Sequence, residues 1–282
     1  MSSSSVRTET TETEAEPGAD AMSGRRSAST LVGELLVTFG LVVLLFAVYE
    51  LWVTGWETDR EQQRATRDLQ STWSEPRSVP SVPAVGQPFT RLYIPRFGPD
   101  YGFTVLEGVS LRVLAKGPGH YPGSALPGDP GNFAVAGHRI GRGAPFNDLD
   151  ELQACDAIIV ETRDEFMVYR VLPMSNQVAT WSTQASGDQR CHNVPVLGGP
   201  YESVAGIRIV APTQVDAVNP VPYRTRDAVA QSQQDRLLTL TTCNPEFDNT
   251  QRLIVHAILT DRAKKTDGLS YAGLLKQLEK TL

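Results

Sequence analysis

Cysteine is scarce in this chain: three in 282 residues, with no CxxC pair among them. That excludes a small disulfide scaffold and leaves no zinc site of the usual ligand spacing. Basic charge is also in short supply. Against 32 acidic side chains stand 26 basic ones, a formal net charge of −6, which argues against a nucleic-acid partner held through its phosphates. There is no internal repeat, and only one long apolar run. A hydrophobic content of 40% builds a globular core but is too low for a multi-pass membrane protein. The length suits two ordinary domains or one large one.

What is present changes sharply along the chain. Residues 1–30 are mostly Ser, Thr, Glu, Ala and Gly, with five acids and three arginines. Such a segment buries too little surface to offset its ordering entropy and reads as a disordered tail. The single apolar run spans Leu31 to Val53, with fifteen uncharged residues between Glu34 and Glu50. At about 1.5 Å per residue it reaches roughly 34 Å, enough to cross a hydrocarbon core of about 30 Å. Trp52 and Trp56 suit a headgroup belt. The large residues Tyr49-Glu50-Leu51-Trp52 offer no small-x-small cleavage site, so the run reads as an uncleaved anchor rather than a signal peptide. Arg25 and Arg26 precede it and Arg60, Arg64 and Arg67 follow it, so the charge count leaves its orientation open.

Residues 54–87 read as a juxtamembrane module. ETDREQQRATRDLQ (57–70) is a solvated helix, with Glu57–Arg60 and Glu61–Arg64 spaced for modest ion pairs. The stretch that follows, with Pro76, Pro80, Pro83 and Pro88, is a semi-rigid spacer expected to hold the next part away from the membrane. From 88 to 262 the texture is strand-rich. FTRLYIP, FTVLEGV, NFAVAGH, DAIIVET, EFMVYRVL, IRIVAP, RLLTLTT and RLIVHAIL are short, apolar and punctuated by turn residues, the pattern of an all-β sandwich or barrel of about eight strands. In 263–282, Tyr271, Leu274, Leu275, Leu278 and Leu282 fall on one face of a C-terminal amphipathic helix.

Three residues in this region can carry acyl-transfer chemistry. Cys243 ends the apolar strand LLTLTTC, just before the turn Asn244-Pro245. A lone cysteine is more often a packed core residue. Nine residues on, Arg252 opens the next strand. If the two strands are neighbours, thiol and guanidinium face each other, and the arginine can lower the thiol pKa and donate to an oxyanion. As an alternative, Arg252 is an edge-strand charge that keeps the sheet soluble. His138, just past the strand in NFAVAGHR, is placed for a general acid or base. His256 reads as a packed or surface strand residue, and neither His192 nor His120 has a partner that spacing reveals. Asp148, Asp150 and Glu151 read as a solvated turn rather than a metal site. A Cys–His pair with a cationic donor allows a membrane-tethered cysteine hydrolase or a transpeptidase, and the residues alone do not choose between them.

Taken together, these motifs resemble the sortase family. The histidine after a strand in NFAVAGHR, the TLTTC strand end and an arginine nine residues later match at once, as do GPGHYPGSALPGDPGN and PFNDLDEL. The resemblance covers residues 88–262 and is strongest to the class E sortases of high-GC Gram-positive bacteria. It implies an eight-stranded β-barrel with short helices, and a cysteine transpeptidase needing no cofactor and no metal. Cys243 would be the nucleophile, His138 the general acid/base and Arg252 the oxyanion or substrate-positioning residue, with Thr241, Thr242, His120 and Tyr121 as further substrate-side residues. The implied substrate is an LPxTG-type sorting signal, LAxTG in class E, cut between Thr and Gly. The implied acceptor is the amine of a peptidoglycan precursor, so that surface proteins become attached to the wall. The membrane is a partner through the anchor, with the N-terminus cytoplasmic and the barrel outside. Pilus assembly and a different extracytoplasmic cysteine peptidase or cell-wall transpeptidase are the alternatives. Cys155 stands where sortases commonly have glycine, and Cys191 lies in the long irregular segment from Trp181 to Pro212. An extracytoplasmic domain permits a Cys155–Cys191 bridge. Two unpaired thiols are nevertheless the expectation here, because sequence does not show the Cα separation a bridge needs.

Overall fold

The computed structural model describes residues 28–49, 54–74 and 82–280, and divides into one compact unit up to Phe46 and a second from Ala47 onward. In the first unit lies most of helix α1 (Ala28–Val48). Its leucines, valines and phenylalanines are exposed, and by length and composition it can cross a membrane.

The second unit is built on nine strands: β1 (Pro88–Tyr93), β2 (Gly102–Glu107), β3 (Gly119–His120), β4 (Gly131–Ala136), β5 (Ala157–Glu161), β6 (Glu165–Val171), β7 (Ile207–Val210), β8 (Arg236–Asn244) and β9 (Gln251–Lys264). Their order is β6-β5-β1-β2-β3-β4-β8-β9, and β9 pairs back onto β6. The ring is therefore a closed eight-stranded barrel with no free edge. All eight apolar segments of the sequence become strands, but membership of the ring differs from the expectation. The two-residue β3, which carries no strand signature, is in it. β7 lies outside, paired only with Arg252–Val255 of β9. β9 can serve both because it is 14 residues long: its outer half, from Ala257 to Lys264, pairs with β6.

Period-two alternation fills the barrel. Phe133 and Val135, Leu238 and Leu240, Leu253, Val255 and Ala257, and Met167, Tyr169 and Val171 point inward into one core cluster. The outward residues are covered in turn. Helix α4 (Tyr271–Lys280) lays Leu274, with Tyr271, Leu275 and Leu278, over Tyr93, Ile159, Phe166 and Val168, so the predicted apolar stripe is a docking face; Leu282 lies outside the described residues.

Helix α2 (Thr54–Ser74) corrects the reading of a solvated juxtamembrane helix. Thr58, Ala65 and Leu69 are buried along one face. Between them Gln62 donates from Nε2 to the carbonyls of Thr104 (3.1 Å) and Lys116 (2.7 Å), and its Oε1 accepts from the Thr104 amide. The helix is polar in composition yet docks on β1 and β2, because hydrogen bonds rather than apolar area anchor much of the contact. Of the expected proline-rich spacer, Pro76 and Pro80 lie outside the described residues; the helix before it is on the barrel, and the chain just ahead of β1 is tied down by bonds from Gly86 N to Glu107 O and from Glu107 N to Gln87 O.

The cysteines correct a second expectation. Cys155 and Cys191 form a disulfide with Cα atoms 5.0 Å apart. It joins the turn before β5 to the turn after the short helix α3 (Trp181–Ser186). The bridge is buried with Trp181, Val194, Tyr201 and Leu237 in a satellite cluster, and Trp181 Nε1 donates to Val194 O. Cys155 has φ = 70°, the left-handed region that costs a side-chain-bearing residue about 1–2 kcal/mol and that glycine accepts freely. The bridge holds a non-glycine residue in a glycine conformation. Two results follow for urea denaturation. The Cys155→Ala/Cys191→Ala protein loses about 2–4 kcal/mol of stability. The Cys155→Gly/Cys191→Ala protein recovers about 1 kcal/mol of that loss by relieving the backbone; equal stability of the two would exclude strain at this position.

Candidate active site

Three strand ends lie side by side. In the antiparallel β8–β9 pair, Cys243 and Arg252 are direct register partners. On the other flank β4 runs parallel to β8, with Ala136 opposite Thr241. The chain beyond β4 keeps that alignment. Gly137 N donates to Thr241 O, Thr242 Oγ1 donates to Gly137 O at 2.9 Å, and Arg139 Nη1 donates to Asn244 Oδ1 at 2.6 Å. His138, between Gly137 and Arg139, is thereby carried alongside Cys243, between Thr242 and Asn244. The cysteine strand is central, the histidine on one side and the arginine on the other.

The local sequence explains the His138 turn. A Cβ at Gly137 would come within 2.5 Å of the Phe146 ring, so only glycine lets the ring close over this corner. Phe146 N donates to His138 O. His138 is half-buried, and its Nε2 is enclosed without a hydrogen-bond partner among the described residues. Burial, reinforced by the Arg142 charge, lowers its pKa below the ordinary imidazole value. A neutral imidazole with an uncommitted nitrogen can take or give a proton.

Cys243 is the free cysteine and is partly exposed. Its thiol donates to Asn249 Oδ1 at 3.4 Å. Arg252 Nη1 donates to the same oxygen at 2.7 Å and to Gln251 O at 2.8 Å. No carboxylate pairs with Arg252 among the described residues, so its positive charge is not neutralised locally. Arg139 is different: it is buried and spends its charge on Asp150, 2.9 Å away, with Glu246 at 3.9 Å. Asp150, one of the three turn carboxylates, is thus an ion-pair partner that ties the histidine turn to the turn Leu149–Glu151 ahead of β5.

The remaining sequence candidates are hydrogen-bonded within the barrel or its turns, or lie apart from the thiol. Thr241 and Thr242 are buried, and their hydroxyls make cross-strand bonds; Thr241 Oγ1 meets the Tyr121 hydroxyl at 2.9 Å. His120 is buried between Phe89 and Phe133, with Nδ1 2.6 Å from Glu107 Oε2 and Nε2 within reach of Ser124 Oγ and Ala125 O. Its ring nitrogens are consumed in tying the 120–125 turn to Glu107 of β2, and none of its bonds is to the thiol. His192 is exposed beside Asn193. His256 is fully buried, bonded to Thr239 and Tyr223, with its pKa pushed down to about 3 by burial. Asn249, Arg139 and Phe146 escaped sequence reasoning. The first two act across loops, and only the quoted PFNDLDEL hinted at Phe146. Among the described residues, no group of histidine, cysteine and carboxylate side chains is placed to hold a metal ion.

A free, partly exposed thiol, an imidazole with an unpartnered nitrogen and a guanidinium without a carboxylate partner among the described residues, on adjacent strand ends, can together support acyl transfer. Comparison with known proteins agrees. The Sortase domain family model matches residues 92–260. Sortases SrtE1 and SrtE2 of Streptomyces coelicolor are each 29% identical, over 86% of this chain; the match spans 60% of SrtE1 and 85% of SrtE2. The solved structure of the SrtF sortase from Corynebacterium diphtheriae is 41% identical and superimposes with a TM-score of 0.63, over 71% of this chain and 97% of that one.

Proposed function

The chain belongs to the sortase family, whose members are cysteine transpeptidases, and from that premise we propose that it cleaves an LPxTG/LAxTG-type sorting signal between Thr and Gly and passes the acyl group to the amine of a peptidoglycan precursor. The observation that carries the residue roles is the register pairing of Cys243 with Arg252, with His138 on the adjacent strand end. In the first half-reaction His138 takes the thiol proton, and Cys243 sulfur attacks the threonine carbonyl carbon. The carbonyl π electrons move to oxygen, where Arg252 holds the negative charge. As the oxyanion collapses, the C–N bond breaks and His138 returns its proton to the departing glycine amine. The second half-reaction reverses these roles: the acceptor amine attacks the thioester, His138 takes its proton, and the thiol is regenerated.

The membrane anchor is α1, with the N-terminus cytoplasmic and the barrel outside. The Cys155–Cys191 bridge supports that orientation, since disulfides persist outside the cytosol. The Tyr121–Thr241 hydrogen bond, one residue short of Thr242 and two from the nucleophile, gives the strand end a polar neighbour that supports substrate selection there. The test is mass spectrometry of the detergent-solubilised full chain with LPxTG and LAxTG peptides. An adduct on Cys243 whose mass ends at threonine supports the proposal. Cleavage at any other bond, or no adduct with either peptide, rejects it.

A pH profile reads the histidine. Its lowered pKa places the acid limb of kcat/KM below about 6.5, the ordinary imidazole value. Arg142→Gln removes a positive charge that disfavours the imidazolium, so the pKa rises and the acid limb moves to higher pH. A limb that stays in place or moves down would show that another group controls it.

A further inference from the structure

One oxygen serves both partners of the proposed acyl-transfer pair. Asn249 Oδ1 lies 2.7 Å from Arg252 Nη1 and 3.4 Å from Cys243 Sγ. In acyl transfer, a substrate carbonyl oxygen has to lie within hydrogen-bond reach of the guanidinium while the carbon that bears it meets the sulfur. The Asn249 side chain is itself a carbonyl, and its oxygen holds that place. We propose that Asn249 caps the resting Cys243–Arg252 pair as an internal stand-in for the scissile carbonyl, and that its side chain swings out when a substrate carbonyl enters.

The surroundings fit a cap better than a fixed strut. Asn249 is exposed, so its carboxamide can leave for water without opening the core. The turn that carries it is held independently: Asp248 accepts from the Asn249 amide at 2.6 Å and from Thr250 Oγ1 at 3.1 Å. Arg252 keeps a bond to Gln251 O when the carboxamide departs, so the guanidinium stays in place for the substrate. The chemistry also has a direction. The thiol donates its proton to Oδ1, whereas a thiolate has none to donate and is repelled by that oxygen. The carboxamide therefore has to leave before the sulfur can act as a nucleophile. The inference rests on the sortase assignment for the identity of the displacing carbonyl, but its first readout needs no peptide.

The experiment follows alkylation of Cys243 by iodoacetamide, by intact mass, on the full chain in detergent without reductant, so that the Cys155–Cys191 bridge does not react. Asn249→Ala should alkylate about two- to tenfold faster than wild type at one fixed pH, the factor that one hydrogen bond of ordinary net strength represents. Asn249→Asp, whose carboxylate would pair with Arg252 and repel a thiolate, should alkylate more slowly than wild type. Peptide kcat/KM should move in the same two directions. An unchanged or slower Asn249→Ala protein of unaltered melting temperature overturns the cap. Faster alkylation with no peptide cleaved by either protein leaves the cap standing and removes the sorting-signal assignment. Peptide cleavage by wild type with unchanged Asn249→Ala alkylation does the reverse.

Discussion

Cys243→Ala is expected to form no acyl-enzyme and to show no turnover of a sorting-signal peptide, while melting at the wild-type temperature. The physical grounds are local. No other free thiol is present, and the other two cysteines are locked in a buried bridge, so no second sulfur can take over. The side chain is only partly buried and bonds through its thiol to an exposed loop asparagine, so removing Sγ leaves no core cavity. Activity and stability therefore separate, and the same two preparations measure both. Cleavage of the peptide by the alanine protein at a rate near wild type would remove the cysteine from the mechanism.

Arg252→Ala should lower kcat about 100- to 1,000-fold with a much smaller change in KM, the loss that follows removal of one oxyanion donor. The geometry makes that strong figure reasonable. Besides Asn249 Oδ1, Nη1 bonds the backbone oxygens of Asn249 and Gln251, so the guanidinium stays in place when the carboxamide gives way to the developing charge. No carboxylate among the described residues pairs with the guanidinium. Arg252→Lys should recover only a small part of the loss, because an ammonium is a point charge that cannot keep the loop bonds and the substrate bond in one plane. Full recovery by lysine would mean that charge alone matters. A fall in kcat/KM carried wholly by KM would make Arg252 a binding residue that does not favour the transition state over the ground state.

Much of this was legible in the residues. Eight apolar segments bounded by turn residues marked eight of the nine strands, since alternation and β-branching act locally. The apolar run of α1 announced itself by length. Cys243, His138 and Arg252 were visible because each ends or opens an apolar strand next to turn residues. β3 was not visible, because two residues carry no period. α2 misled because much of its contact with the barrel runs through Gln62, bonded to distant backbone, and Thr66, bonded to the Thr104 hydroxyl, and such hydrogen bonds leave no hydropathy signal.

By itself, then, the sequence determined the strand content, the apolar N-terminal helix, the family and the three residue types that acyl transfer requires, because each of these is written in side chains close together along the chain. Tertiary structure alone decided what depends on residues far apart. Closure of β9 on β6 turned a row of strands into a barrel. The 5.0 Å approach of the Cys155 and Cys191 Cα atoms across 36 positions made a disulfide where free thiols were expected. The antiparallel register put Cys243 opposite Arg252, and the loop between them returned Asn249 to the space that thiol and guanidinium share. No local pattern encodes such meetings. They arise only when the chain has paid the entropy of closing its long loops.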